Sequence, residues 1–332
     1  MALRSWLDID PSSGFGLENL PFGIFSTNAN PKPRVGVAVG SFILDMARLS
    51  THARFPTVFP LLADHPAVLY ASSLNAFAAL GRTVHRAVRS ALQAVLAADT
   101  PHGALLRDDA AMRAAALIRS DAAAVTMHLP VAVGDYTDFY AGFHHAFHIG
   151  TMVRGPEQAL QQNYLNLPVA YHGRASSIVV SGTPIRRPMG QILDSPAQKL
   201  QTQSKATEAV PITALSRRLD FELELGCIIG AGNAHGENIG VADAEDHIFG
   251  YVLLNDWSAR DIQTWEYVPL GPFNSKNFAT SISAWVVLAD ALEPFRTEAL
   301  TVQAKPECQP YLREKKTKTV FNILLEVELT TR

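Results

Sequence analysis

Asp220-Phe221-Glu222-Leu223-Glu224-Leu225-Gly226-Cys227-Ile228-Ile229 is the stretch on which the reading of this chain turns. Charged and apolar residues alternate from Asp220 to Leu225, and a period of two belongs to a strand. Glu222 and Glu224 then share one face, about 6 to 7 Å apart along the strand, while Phe221, Leu223, Leu225 and Cys227 share the other. Two readings fit the acidic face. A half-exposed antiparallel strand presents such carboxylates to water; a chelating pair gives them to a hard cation such as Ca²⁺ or Mg²⁺, which relieves their mutual repulsion.

Downstream, residues 248–254 form the second strong strand and residues 320–329 a third, so β structure dominates the second half. Asp256 follows the apolar run Tyr251-Val252-Leu253-Leu254 where the spacing predicts a helix over 256–263. It is either a third carboxylate for the pair or an N-cap. Arg260 is one turn from both Asp256 and Gln263, so a cation, an amide and a carboxylate can converge there, or Asp256 and Arg260 form a plain surface pair. The Pro- and Gly-rich loop of residues 268–278 carries Lys276, either an electrostatic catalyst or a cation pointing to water.

Upstream, residues 133–148 read Val-Gly-Asp-Tyr-Thr-Asp-Phe-Tyr-Ala-Gly-Phe-His-His-Ala-Phe-His. Asp138 and His145 are seven apart, two turns along one face if a helix follows Asp138. A capped aromatic turn with unremarked histidines fits the same text. Tyr171-His172-Gly173-Arg174 sets an aromatic, an imidazole and a guanidinium around a glycine, a plausible carboxylate-binding corner with Arg154 as a further candidate. A strand over 178–185 ends in a Gly-Thr-Pro turn, and residues 191–211 form a polar loop.

The first 125 residues carry a different pattern. Residues 20–46 predict a small unit of short strands and hairpin turns. From Ser73 to Ala98, Leu74, Phe77, Leu80, Val84, Val88, Leu92 and Val95 recur at helical spacing, predicting one amphipathic helix capped by Ser73 with His85 and the arginines on its wet face. Residues 110–124 are again helix-prone, and a domain boundary is expected near residue 125.

The bulk numbers exclude several classes. Twenty-eight basic against 31 acidic residues leave a net charge of −3, with no basic tract beyond Arg313-Glu314-Lys315-Lys316, so nucleic acid is not an expected partner. Two cysteines, Cys227 and Cys308, are too few for a disulfide framework and fit a reducing compartment. There is no apolar stretch of membrane-spanning length and no apolar leader, so a cytoplasmic protein is expected.

Read together, several long blocks resemble the fumarylacetoacetase (fumarylacetoacetate hydrolase) family. They are Gly134-Asp135-Tyr136-Thr137-Asp138-Phe139-Tyr140, Tyr171-His172-Gly173-Arg174-Ala175-Ser176-Ser177, the run from Gly182 to Gln191, the run from Asn255 to Gln263, and Pro269-Leu270-Gly271-Pro272-Phe273. The resemblance implies a mainly β (α+β) fold, with an N-terminal SH3-like barrel domain with helices over 1–125 and a C-terminal mixed β-roll catalytic domain over 126–332, working as a homodimer. It implies hydrolysis of a carbon–carbon bond of the diketo acid 4-fumarylacetoacetate to fumarate and acetoacetate, the last step of tyrosine and phenylalanine breakdown. It assigns Asp138, Glu222, Glu224 and Asp256 to a divalent metal, Ca²⁺ or Mg²⁺, with Lys276 and Thr280 near an accessory magnesium position. His145 is implied as the base, Tyr140, Arg154, Tyr171, Gln263 and Tyr267 as substrate-binding residues, and Arg260, Gln263 and Lys276 as the oxyanion donors. That chemistry needs a Lewis acid, a base and donors to a developing alkoxide, and no covalent nucleophile.

Two departures bear on this expectation. Phe143, His144 and His148 surround His145, where the family pattern has one histidine. The family also continues past the final Arg332, and its further segment carries strands of the roll, a glutamate that orients the base and a threonine that touches substrate. The β-roll is therefore expected to be C-terminally incomplete, and the alternatives are an impaired remnant that binds metal or partners, or a related diketone hydrolase or acylpyruvase.

Overall fold

Residues 3–194, 210–299 and 309–330 are described by a computed structural model. Cys308 and most of the polar segment 191–211 lie outside the described residues. The fold is mixed α+β and dominated by its sheets.

The predicted small β unit is present as β1 (Phe22–Thr27), β2 (Asn30–Val39) and β3 (Phe42–Asp45), paired antiparallel in sequence order. To these are added β4 (Leu117–Arg119) on β3 and β5 (Val125–His128) on β1. Two short strands, β6 (Thr137–Phe139) and β7 (Ala170–His172), pair with each other, and β8 (Ile178–Val180) lies parallel to β15 (Thr280–Ile282). A separate pair joins β9 (Met189–Leu193) to β10 (Pro211–Leu215). The predicted acidic strand is in fact two. Residues Leu219–Asp220 (β11) pair with Ser258–Ala259 (β14), and Leu223–Ile229 (β12) pair with Ile248–Asp256 (β13). Glu222 sits at the joint, its carbonyl accepting from the Asp256 N–H at 3.1 Å.

β13 is the hub of the second half. It pairs with β12, with β15 and with β16 (Trp285–Leu288). Because Phe22 of β1 also pairs with Val286 of β16, strands from both halves join in one ten-stranded sheet. One apolar core runs beneath it, in which Phe22 stacks on Phe77 with centroids 5.0 Å apart and Phe249 meets Phe77 edge-on at 5.7 Å. Full burial of such side chains stabilises by roughly 1.5–3 kcal/mol each. The predicted third strand over 320–329 is reduced to β18 (Val320–Phe321), paired with β17 (Arg296–Thr297).

The predicted 73–98 helix breaks at Gly81, whose φ of 84° a helix cannot hold. Asn75–Ala78 forms one short turn and Arg82–Leu96 the long helix, with Gly81 in the N-cap position that Ser73 was expected to fill. Its expected wet face holds for the exposed Arg86 but not for His85. His85 is buried between the Phe77 and Phe249 rings with Nε2 on the Phe77 carbonyl at 2.9 Å. Arg82 reaches Asp290 at 3.1 Å and Glu293 at 2.7 Å, and Arg86 reaches Asp290 at 2.8 Å, so these arginines clamp the first half onto the second. The expected helix over 110–124 covers Ala110–Ala116 before the chain enters β4.

Candidate active site

Five pieces of chain bring acidic and basic groups together. Asp256 ends β13, in register with Thr280 of β15, and is 1 % exposed. Glu224 lies on the neighbouring strand, opposite Leu254. Asp138 stands on β6 directly across from Tyr171 on β7. One carboxylate oxygen from each of Asp138, Glu224 and Asp256 falls within 4.8 Å of the others. Lys276 joins from the loop after the helix Arg260–Glu266, its Nζ 2.6 Å from Asp256 Oδ2 and 2.5 Å from Glu222 Oε2.

The helix that precedes this loop begins at Arg260, so Asp256 is not its N-cap. Nor does Arg260 pair with Asp256. Its guanidinium holds Asp220 at 2.9 Å, Glu222 at 2.6 Å and the Gln263 Oε1 at 3.0 Å. With its oxygen so held, Gln263 has its Nε2 left to donate. Thr280 Oγ1 lies 3.4 Å from Asp256 Oδ1 and 3.4 Å from the Tyr136 hydroxyl.

Burial and neighbouring charge pull three of these acids in different directions. Burial, together with the nearby charges of Asp138, Asp256 and Glu222, pushes the Glu224 carboxyl up to about 8. Burial also holds the Asp256 carboxyl above its usual range, against the pull of Lys276. Glu222 goes the other way, because Lys276 and Arg260 overcome the burial that opposes them. Burial raises the Tyr136 phenol to about 12 and, with the charges of Asp256 and Asp138 beside it, raises Tyr171 further. Among the described residues the buried Tyr171 hydroxyl makes no hydrogen bond of good geometry, the Asp138 carboxylate lying beside it. Three oxygen donors that repel one another, with a proton retained at neutral pH to relieve them, suit a hard divalent cation. Glu222 stands beside this triad with both oxygens on cationic side chains.

Asp138 and His145 do not share a helix. Asp138 is in a strand, and His145 lies in the first turn of the helix Phe143–Arg154. His145 is exposed, with its ring edge-on to Tyr140 at 5.5 Å, and the Tyr140 phenol in turn feels the charges of Arg154, Glu222 and Arg260. Arg154 itself donates to the carbonyls of Gln158 at 2.9 Å and Ala159 at 2.6 Å, closing the end of its helix. Tyr267 follows the helix Arg260–Glu266, with its carbonyl accepting from Gly271 N–H at 2.6 Å.

Three contributors escaped the sequence reading. Glu266 accepts backbone N–H groups from Phe273, Asn274 and Ser275 at 2.8, 3.0 and 2.8 Å, folding the loop that presents Lys276. Asp220 anchors Arg260. Gly173 lets the β6–β7 pair close over Tyr136, since a Cβ there would lie 1.9 Å from the phenol Cζ. An acid seven to nine residues before a turn carries no pattern, so only the folded loop reveals Glu266.

Residues 18–130 match the family description "Fumarylacetoacetase N-terminal", and residues 136–324 match "Fumarylacetoacetate (FAA) hydrolase C-terminal". Fumarylacetoacetase from Aspergillus fumigatus is 52% identical over 99% of this chain and 74% of that protein. The rat and human fumarylacetoacetases are 47% and 45% identical, each over 98% of this chain and 72% of its own length. Among solved structures, a fumarylacetoacetate hydrolase from Exiguobacterium antarcticum matches with a TM-score of 0.43 at 20% identity, over 83% of this chain and 69% of that one. With both family descriptions matched in order and half of its residues shared with the Aspergillus enzyme, the chain belongs to the fumarylacetoacetate hydrolase family.

Proposed function

We propose that this protein hydrolyses 4-fumarylacetoacetate to fumarate and acetoacetate, the closing step of tyrosine and phenylalanine breakdown. The observation that carries the reading is the convergence of Asp138, Glu224 and Asp256 beside Lys276, Glu222 and Arg260. Asp138, Glu222, Glu224 and Asp256 would hold a Ca²⁺ or Mg²⁺ ion, with Lys276 and Thr280 beside an accessory Mg²⁺ position. The ion supplies Lewis-acid stabilisation of the negative charge that develops on the dicarbonyl oxygens.

The remaining steps belong to side chains. His145 takes a proton from water, and the resulting hydroxide adds to the fumaryl carbonyl carbon. Lys276 Nζ, the Gln263 amide and Arg260 stabilise the alkoxide oxygen. When the carbonyl re-forms, the bond to the methylene carbon breaks, and that carbon takes up a proton to give acetoacetate. Tyr140, Tyr171, Arg154, Gln263 and Tyr267 orient the substrate; the position of the buried Tyr171 hydroxyl beside Asp138 supports this assignment.

The N-terminal 1–125 part is read as an SH3-like domain and 126–332 as a β-roll catalytic domain, a division supported by the two family descriptions meeting between residues 130 and 136. A cytoplasmic homodimer completes the reading. Its dimer part is supported by the exposed apolar row of Leu225, Ile229 and Leu253 on the β12–β13 face. Among the described residues no helix is long and apolar enough to cross a membrane. The test is to incubate the protein with fumarylacetoacetate and Mg²⁺ or Ca²⁺ and identify the products. Equal amounts of fumarate and acetoacetate are expected, and intact substrate at the end would contradict the reading.

A further inference from the structure

His144 and His148 are four residues apart on the helix Phe143–Arg154, which places both imidazoles on one face, one turn apart. Both are exposed, and their ring centroids lie 6.5 Å apart with planes inclined at 41°. Among the described residues their contacts are with each other and with the neighbouring rings of Phe143, 5.5 Å from His144, and Phe147, 6.3 Å from His148. His145 does not compete for the same space, because its ring packs against Tyr140.

Other histidines are committed elsewhere. His85 binds the Phe77 carbonyl, His128 the Ser26 hydroxyl, His247 the Ala231 carbonyl, and His52 pairs with Asp109. Among the described residues the ring nitrogens of His144 and His148 have no hydrogen-bond partner. Two imidazoles at this helical spacing can hold one metal ion between them, and imidazole nitrogen suits borderline ions such as Cu²⁺, Ni²⁺ and Zn²⁺ rather than Ca²⁺ or Mg²⁺. With metal–nitrogen bonds of about 2.0–2.1 Å, two rings on one tetrahedral ion bring their centroids to roughly 5 Å. Closing the observed gap takes only side-chain rotation, which exposed residues make freely.

We propose that His144 and His148 form a bidentate site for a divalent transition ion, Cu²⁺, Ni²⁺ or Zn²⁺, chemically distinct from the carboxylate site, with water filling the other positions. This site does not depend on the hydrolytic reading, since it uses neither the carboxylates nor His145.

The test is a Cu²⁺ titration of the whole protein in excess Mg²⁺, followed by calorimetry and electron paramagnetic resonance. One equivalent is expected to bind with hyperfine structure from two nitrogens, which separates imidazole from carboxylate ligation. Removal of an outer-shell partner already weakens metal sites by about 10–100-fold, so loss of a ligand in His144→Gln or His148→Gln is expected to weaken binding by about tenfold or more. His145→Gln is expected to leave it in place. A spectrum without two nitrogens in the unaltered protein overturns the site. So does unchanged binding in the His144→Gln/His148→Gln double variant, whose exposed positions leave the helix intact by circular dichroism.

Discussion

Lys276 Nζ bridges Glu222 and Asp256, 2.5 Å from one carboxylate and 2.6 Å from the other, with its side chain only 4% exposed. A buried ammonium between two acids neutralises part of a cluster that would otherwise be hard to keep folded. Losing one member of such a buried arrangement costs about 3–5 kcal/mol. Lys276→Ala is therefore expected to lower the thermal midpoint of the metal-free protein, with part of the loss recovered in saturating Mg²⁺. An equal loss with and without Mg²⁺ would show that the lysine and the ion do not share these carboxylates.

Glu224 sets the pH dependence. Its carboxyl ionises near 4.5 when unfolded and near 8 in the fold. Between those values the unfolded chain has released a proton that the native state retains, so native stability falls as pH rises through this window. A divalent ion competes for the same site and binds more tightly as the proton leaves. Denaturation series across this range, with chelator and with Mg²⁺, are expected to diverge increasingly as the pH approaches 8, and Glu224→Gln is expected to remove the part of the divergence that grows between about 6 and about 8, leaving the part that Asp256 sets. Parallel curves in the unaltered protein would remove Glu224 from the metal site.

Glu266 acts at one remove, through three backbone N–H groups on the loop that ends in Lys276. Hydrogen bonds to a charged group contribute about 1.5–3 kcal/mol each at most, less where exposed. Glu266→Gln can accept only part of this set. It is expected to lower kcat for hydrolysis more than it raises KM and to leave the Mg²⁺ affinity of the triad within about twofold. A Mg²⁺ affinity that collapses with kcat would mean that the loop builds the metal site itself.

Much of this architecture was legible because it is periodic. The alternation from Asp220 to Leu225 put Glu222 and Glu224 on one face, and both carboxylates do meet Asp256 or its lysine partner. The hairpins of residues 20–46 were read from turns and alternation, and they form. What failed was decided by distant contacts. His85 has the spacing of a solvent-facing residue, yet Phe249, far along the chain, covers it. Arg260 was set beside Asp256 by helical spacing, but the helix starts only at Arg260 and the guanidinium finds Asp220 and Glu222 across the β11–β14 pair. Helical spacing sets Asp138 and His145 on one face only if both lie in one helix, whereas pairing of β6 with β7 holds Asp138 extended.

His145 is exposed and packs only its ring edge on Tyr140, so its removal disturbs little else. General-base catalysis contributes typically 10²–10⁴-fold. His145→Asn is expected to reduce kcat by about that factor, with the thermal midpoint and Mg²⁺ affinity unchanged. A kcat within about threefold of the unaltered protein would transfer the role to another group.

Hydrolysis is expected to depend on a divalent ion held at Asp138, Glu224 and Asp256, with Glu222 beside them. The direct measurement is the steady-state loss of fumarylacetoacetate after exhaustive chelation and then during readdition of Mg²⁺ or Ca²⁺, in the unaltered protein and in Asp256→Asn. Hydrolysis is expected to vanish with the ion and return in step with its binding in the unaltered protein, and to stay absent in Asp256→Asn. Full-rate hydrolysis by the chelated protein, or its recovery in Asp256→Asn at the same Mg²⁺ concentration, would contradict the account.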